Sequence, residues 1–207
     1  MMTFNHEITI RRNETFTIDK IIQNRDESPY IISDRLSNPH FVVTVTNSLY
    51  DQENRYVCNM WLPINLPRFE LTVPVNIKDF TSMDGSQLYN SFEDMGGLPS
   101  GYINGTNIQF EEDDALFYVE DYEGNKTYKY WKNGKWNDYE CRIVCKFLQN
   151  ITREWIERNY YYNIDLVAGP LNPDATSGER PFARIDEMIP ILGSTKLSVL
   201  SNLKGGM

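Results

Sequence analysis

Asn133-Gly134 stands between KTYKYWK (126–132) and KWNDYE (135–140), two runs rich in aromatic and charged residues. Asn-Gly accepts positive φ at both centres of a two-residue hairpin turn, so it sets the fold-back and the pairing together. Gly124-Asn125 reads as a second such turn, and Asn104-Gly105, between Tyr102-Ile103 and Thr106–Phe110, as a third. A chain that reverses this often over 40 residues is a β-meander there, because helices have no use for such turns. Around Asn133-Gly134 the turn predicts pairs Lys132/Lys135, Trp131/Trp136, Tyr130/Asn137, Lys129/Asp138 and Tyr128/Tyr139. Around Gly124-Asn125 it predicts Glu123/Lys126, Tyr122/Thr127, Asp121/Tyr128, Glu120/Lys129 and Val119/Tyr130. Opposite charges meet at Glu123/Lys126, Glu120/Lys129 and Lys129/Asp138, each adding a few tenths of a kcal/mol.

These registers sort the side chains by face. Phe117, Val119, Tyr128, Tyr130, Tyr139, Cys141, Ile143, Cys145 and Phe147 form the expected buried face. Leu116, Tyr118, Glu120, Tyr122, Lys129, Trp131, Trp136, Asp138, Glu140, Arg142, Val144 and Lys146 form the other, polar but studded with large rings. Three readings of those rings stand side by side. They cover one another or lie under the 63–80 segment; they dock another protein chain, as Trp and Tyr do at interfaces; or they stack on sugars. Trp131, Trp136, Tyr118 and Tyr122 are the candidate interface anchors.

The flanking segments are also strand-like. Residues 6–12 alternate around Ile8 and Ile10, Asn13-Glu14 is a turn, and 15–22 follow with Phe16 and Ile18 on one face. Tyr30–Ile32 is a short strand. His40–Thr46 (HFVVTVT) is strongly β-branched and Arg55–Leu62 is its partner across the polar turn SLYDQEN. Pro63, Pro67 and Pro74 confine 63–80 to an edge or an extended connection. Strands are expected at 160–167 and 195–203, separated by the Pro/Gly-rich loop 169–181, with KGGM a frayed tail. The best helix is 85–95, with Asp84 as N-cap, Leu88, Phe92 and Met95 as a stripe and Gly96-Gly97 as the stop. A second short helix is expected at 152–158.

Little of this sequence carries chemistry. Among 207 residues there are three cysteines and two histidines. His6 and His40 have no metal-ligand spacing, and Cys141 and Cys145 lack a second pair, so neither a structural zinc nor a nucleophilic triad is expected. Cys141 and Cys145 share the buried face about 13 Å apart on a strand, too far for a disulfide, and read as core filling. GxSxG, GxxxxGK[ST] and GxGxxG are all absent. The sequons at Asn13, Asn104, Asn125 and Asn150 read as chance in an Asn-rich chain. Lys and Arg total 20 against 29 Asp and Glu, a net charge of −9 that argues against binding through nucleic-acid phosphates. No apolar run is long enough to span a membrane, and no signal peptide is visible. No catalytic, cofactor-binding or metal-binding residue is expected, and the chain reads as non-enzymatic.

Two stretches resemble a known family. EITIRRNETFTIDKIIQNRDESPYIIS (7–33) resembles the opening of the immunoglobulin-like N-terminal domain of phage baseplate upper proteins and related virion components: strand, basic residue, turn, strand, polar loop, then a PY-apolar strand. FVVTVTNS (41–48) is similar to that domain's third strand, and YYYNIDLV (160–167) with TKLSVLSNL (195–203) to its closing strands. The family has Gly-Asp where this chain has Asn13-Glu14, and residues 80–157 look like an insertion. The resemblance implies a mainly β fold: an immunoglobulin-like antiparallel sandwich built from 1–79 and 158–207, with an inserted helix plus β-meander at 80–157. It further implies a virion structural protein of the tail, baseplate or head–tail connector ring, made in the host cytoplasm. Its partners would be identical subunits in a ring and other virion proteins, with no membrane. DNA passing through such a ring would be repelled rather than specifically bound. The alternative is a carbohydrate- or receptor-binding β-sandwich module.

Overall fold

The computed structural model describes residues 7–48, 56–82, 84–103 and 106–200. In chain order the strands are β1 (Ile8–Arg11), β2 (Phe16–Ile21), β3 (His40–Thr46), β4 (Tyr56–Pro63), β5 (Val75–Asn76), β6 (Phe80–Thr81), β7 (Ser100–Ile103), β8 (Thr106–Gln109), β9 (Phe117–Glu120), β10 (Lys126–Lys132), β11 (Lys135–Asp138), β12 (Arg142–Phe147), β13 (Arg158–Ala168) and β14 (Glu187–Leu200). Two four-residue helices, α1 (Phe92–Met95) and α2 (Gln149–Thr152), and a 3-10 turn at Ile77–Asp79 complete the described elements. The protein is mainly β and sandwich-like.

The chain gathers into two units. The first comprises Met1–Lys20, Leu36–Asn65 and Arg142–Met207; the second comprises Ile21–Arg35 and Leu66–Cys141. This division differs from a sandwich of 1–79 and 158–207 holding an insertion at 80–157. Residues 142–147 belong with the first unit because β12 pairs with β2. Residues 66–80 belong with the second because Phe69, Ile77 and Phe80 supply its core.

The first unit holds a five-stranded sheet in the order β1-β14-β13-β3-β4, and the β12-β2 ribbon. β1 runs parallel to β14, Ile8 opposite Leu197; the other partners in this sheet are antiparallel. β3 lies between β13 and β4 and is buried on both sides: Phe41, Val43 and Val45 point one way and Val42 the other. That explains a run of β-branched residues without polar alternation. The ribbon alternates cleanly instead, with Ile143, Cys145 and Phe147 buried and Arg142, Val144 and Lys146 exposed. Trp155 joins ribbon and sheet. Its ring stacks on Tyr160 of β13 at 5.1 Å and meets Phe147 and Phe16 edge-on at 5.8 and 5.9 Å. Phe182, in the 169–186 connection, covers Val42 and Val167 on the opposite face of the sheet.

The second unit carries the meander as a sheet ordered β11-β10-β9-β5, with β5 parallel to β9, and a separate β6-β7-β8 sheet. β7 and β8 pair with Ile103 opposite Thr106, as the Asn104-Gly105 reversal requires; those two residues lie outside the described set. So do most of SLYDQEN and residues 201–207.

Several expected elements are shifted. No helix runs over 85–95; only its last turn is helical, with Ser91 rather than Asp84 as N-cap and Gly96 closing at φ 74. The Asp84 carboxylate accepts hydrogen bonds from the Ser82 and Ser86 hydroxyls and from the Ser86 backbone N–H, which holds the chain in a turn. The second helix lies at Gln149–Thr152, ahead of 152–158. Tyr30–Ile32 makes no ladder, though Ile32 is fully buried.

Candidate functional site

The β10–β11 hairpin has the pairing that Asn133-Gly134 dictates. Trp131 opposes Trp136, Lys132 opposes Lys135, and Lys129 opposes and ion-pairs with Asp138. Asn133 and Gly134 have φ of 54 and 71. The β9–β10 reversal is different. Lys126 opposes Glu120, Thr127 opposes Val119, and Tyr128 opposes Tyr118, so the connection is the five-residue loop 121–125 rather than a two-residue turn. The Asp121 carboxylate closes it. Its Oδ1 accepts from the Glu123 and Asn125 backbone N–H groups, and its Oδ2 accepts from Asn125 Nδ2. These bonds hold the Asp121 carboxyl below the usual carboxylate range.

An odd change in register turns β9 over. Phe117 and Val119 therefore share a face with Trp131 and Trp136 instead of with the tyrosines. Trp136 lies 4.9 Å from Phe92, 5.5 Å from Phe117 and 5.2 Å from Trp131, ring to ring. It packs against the cluster Ile77, Phe80, Phe92, Ala115 and Phe117. Its Nε1 is buried without a hydrogen-bond partner among the described residues. The expected outward position of Trp136 is thus corrected: residues 77–80 and α1 cover this face. Trp131 is half-buried beside it.

The opposite face carries Leu116, Tyr118, Tyr128 and Tyr130, with Tyr139 beyond β11. Leu116 and Tyr139 are buried against Phe69, and the Tyr139 hydroxyl donates to the Tyr30 carbonyl at 3.0 Å. Tyr118 is on this face, not with the tryptophans. Its ring lies 5.6 Å from Tyr128, and the Lys126 ammonium sits 4.8 Å from its centre. Tyr122, at the tip of the Asp121-closed loop, is fully exposed at 105%. The four candidate anchors therefore do not form one patch: two lie on one face, one on the other, and one at the tip.

Sequence reasoning gave no role to the sheet edge beside Tyr118. Leu71 and Val73 are exposed, and with Val75, Asp79 and Tyr118 they border a groove of about 340 Å³. The signal was present as Leu71, Val73 and Val75 at alternate positions, interrupted by Pro74.

Chemical groups are few. The thiols of Cys58, Cys141 and Cys145 are each pushed up to about 12 by burial. Both Cys141 and Cys145 fill core space, and all three are free. Asp165 on β13 is a buried carboxylate, 6% exposed, raised by desolvation and eased by a hydrogen bond from Asn163 Nδ2. Among the described residues no three metal-ligating side chains converge, and no helix is long and apolar enough to cross a membrane. Comparison with family models, curated proteins and solved structures gives no match.

Proposed function

We propose that the chain is a non-enzymatic structural protein of a phage virion, part of a tail, baseplate or head–tail connector ring, and that it works by burying surface against neighbouring subunits. The resemblance of residues 6–62 and 160–203 to immunoglobulin-like virion domains motivates this reading, and the immunoglobulin-like assignment belongs to it. The observation that carries it is Tyr122. A large aromatic ring is held fully in solvent at the tip of a loop locked by three hydrogen bonds to Asp121. A pre-ordered loop binds without paying to order itself, and tyrosine buries much area with few rotatable bonds.

The test is particle imaging of the purified chain by electron microscopy, alone and with Tyr122→Ala. The wild-type chain should form closed rings of defined symmetry. The variant should keep its melting temperature and lose the rings. A wild-type chain that stays monomeric at high concentration and instead binds glycans on an array would replace this reading with the carbohydrate-binding one.

A further inference from the structure

Charge is divided very unequally between the two units. By sequence the first holds 12 acidic and 12 basic residues, and the second 17 acidic and 8 basic, so the whole net charge of −9 belongs to the second. The groove at its sheet edge lies within that field. β5 is the outer strand of its sheet, and among the described residues nothing pairs with its free side. Leading into it, Leu71 is 37% exposed and Val73 69% exposed. Val75 and Tyr118 line the groove and Asp79 stands at its rim. Glu70 and Asp79 are exposed and form no ion pair among the described residues. The neighbouring cations are already engaged: Lys78 Nζ donates to the Glu120 carbonyl, and Lys126 lies over the Tyr118 ring.

Apolar side chains standing in water at an open sheet edge, with the unpaired carboxylate of Asp79 at the groove and that of Glu70 one residue before Leu71, select a particular occupant. We propose that the 70–76 edge docks an extended basic segment of a separate protein. One apolar side chain of that segment enters the groove between Val73 and Tyr118, its Lys or Arg residues face Glu70 and Asp79, and its backbone runs along the free side of β5. A second copy is disfavoured as occupant, because its acidic unit is repelled and its other unit carries no net charge to attract. Nucleic acid is repelled for the same reason. The proposal goes beyond the virion reading and does not require it.

The test uses the full chain and fluorescein-labelled peptides, read by anisotropy. (Lys-Val)4 supplies charge and apolar side chains, (Lys-Ser)4 charge alone, and (Glu-Val)4 the wrong charge. Binding of (Lys-Val)4 should be at least tenfold tighter than of either control and should weaken at least tenfold between 50 and 500 mM NaCl, as screened charge attraction does. Val73→Ser and Asp79→Asn should each weaken it several-fold with unchanged melting temperature. Met188→Ser, at an exposed apolar residue of the other unit, should leave it unchanged. Equal binding of (Lys-Ser)4, or no effect of Val73→Ser, overturns the proposal by reducing it to unspecific charge attraction. A concentration-dependent dimer abolished by Val73→Ser, seen in analytical ultracentrifugation, overturns it by making the occupant a second copy. Ring formation is a separate readout, so either reading can fail alone.

Discussion

A double-mutant cycle between Phe117 and Trp136 tests the β9 register directly. Phe117 is fully buried, and its ring meets Trp136 edge-on at 5.5 Å and 82°, with Phe110 and Phe80 at 5.3 and 5.9 Å. Leucine substitutions keep an apolar group in place. Phe117→Leu should cost about 1–2 kcal/mol and Trp136→Leu about 2–3 kcal/mol, less than the ~3–5 kcal/mol typical of truncating a buried aromatic to alanine. An edge-to-face aromatic pair adds about 0.5–1.5 kcal/mol beyond area burial, and this coupling is what the cycle isolates. With a urea m-value of about 2 kcal/mol/M, that is a non-additivity of about 0.25–0.75 M in the unfolding midpoint. Urea titration of the four proteins by far-ultraviolet circular dichroism measures it, with unchanged m-values as the check that the substitutions act on the folded state. If Gly124-Asn125 were a two-residue turn, Phe117 would oppose Lys132 and point away from Trp136. The two costs would then add to within about 0.3–0.5 kcal/mol, and that result would refute the register.

Three other outcomes are expected. Gly169→Ala should destabilise the first unit by about 2 kcal/mol or more, read as a lowered melting temperature. A Cβ there would stand 2.4 Å from the Arg184 carbonyl oxygen, and two backbone-directed hydrogen bonds, Gly169 N–H to Ser37 O and Asn38 Nδ2 to Gly169 O, resist its retreat. Asp165→Asn should raise the melting temperature at pH 7 relative to wild type, with the gain fading as pH falls toward 4. The folded Asp165 carboxyl is raised, so the native state holds its proton longer than the unfolded one, and stability is lost as pH rises from about 4 through the folded pKa. Native protein at pH 8 should show no fast-reacting thiol towards a disulfide reagent, and three after denaturation in urea, because burial holds all three thiols protonated.

Much of the fold is legible where one local signal decides it. Asn133-Gly134 fixes the β10–β11 pairing because both residues take up the positive φ that a two-residue turn demands. β1, β2, β3 and β4 follow from period-two alternation or a β-branched run. What could not be read is where two local signals compete. Gly124-Asn125 does place Gly124 at φ 89, but the Asp121 carboxylate captures two backbone N–H groups first and widens the loop. Over residues 82–91 the side chains of Ser82, Asp84 and Ser91 accept backbone N–H groups locally, in competition with a helix. The first half of β14 was hidden by Pro190, which breaks a strand pattern. Among the described residues β1 pairs with β14 only at Leu197–Leu200, so at Pro190 no described strand needs the N–H that proline lacks on that side. The four candidate anchors separate for the same register reason: the five-residue loop 121–125 places Tyr118 on the face opposite Trp131 and Trp136 and puts Phe117 under the tryptophans.

The parallel pairing of β1 with β14 has a consequence for how the chain is made. Ile8 and Leu197 are 189 positions apart. At about 5–20 residues per second a ribosome needs roughly 10–40 s to synthesise the interval between them. Throughout that time Ile8–Arg11 has no ladder to join, and its apolar face needs shelter from other nascent chains. β1 is thus zipped into place only after β14 has been made, and a chain cut short before Leu197 would leave Ile8–Arg11 permanently unmatched.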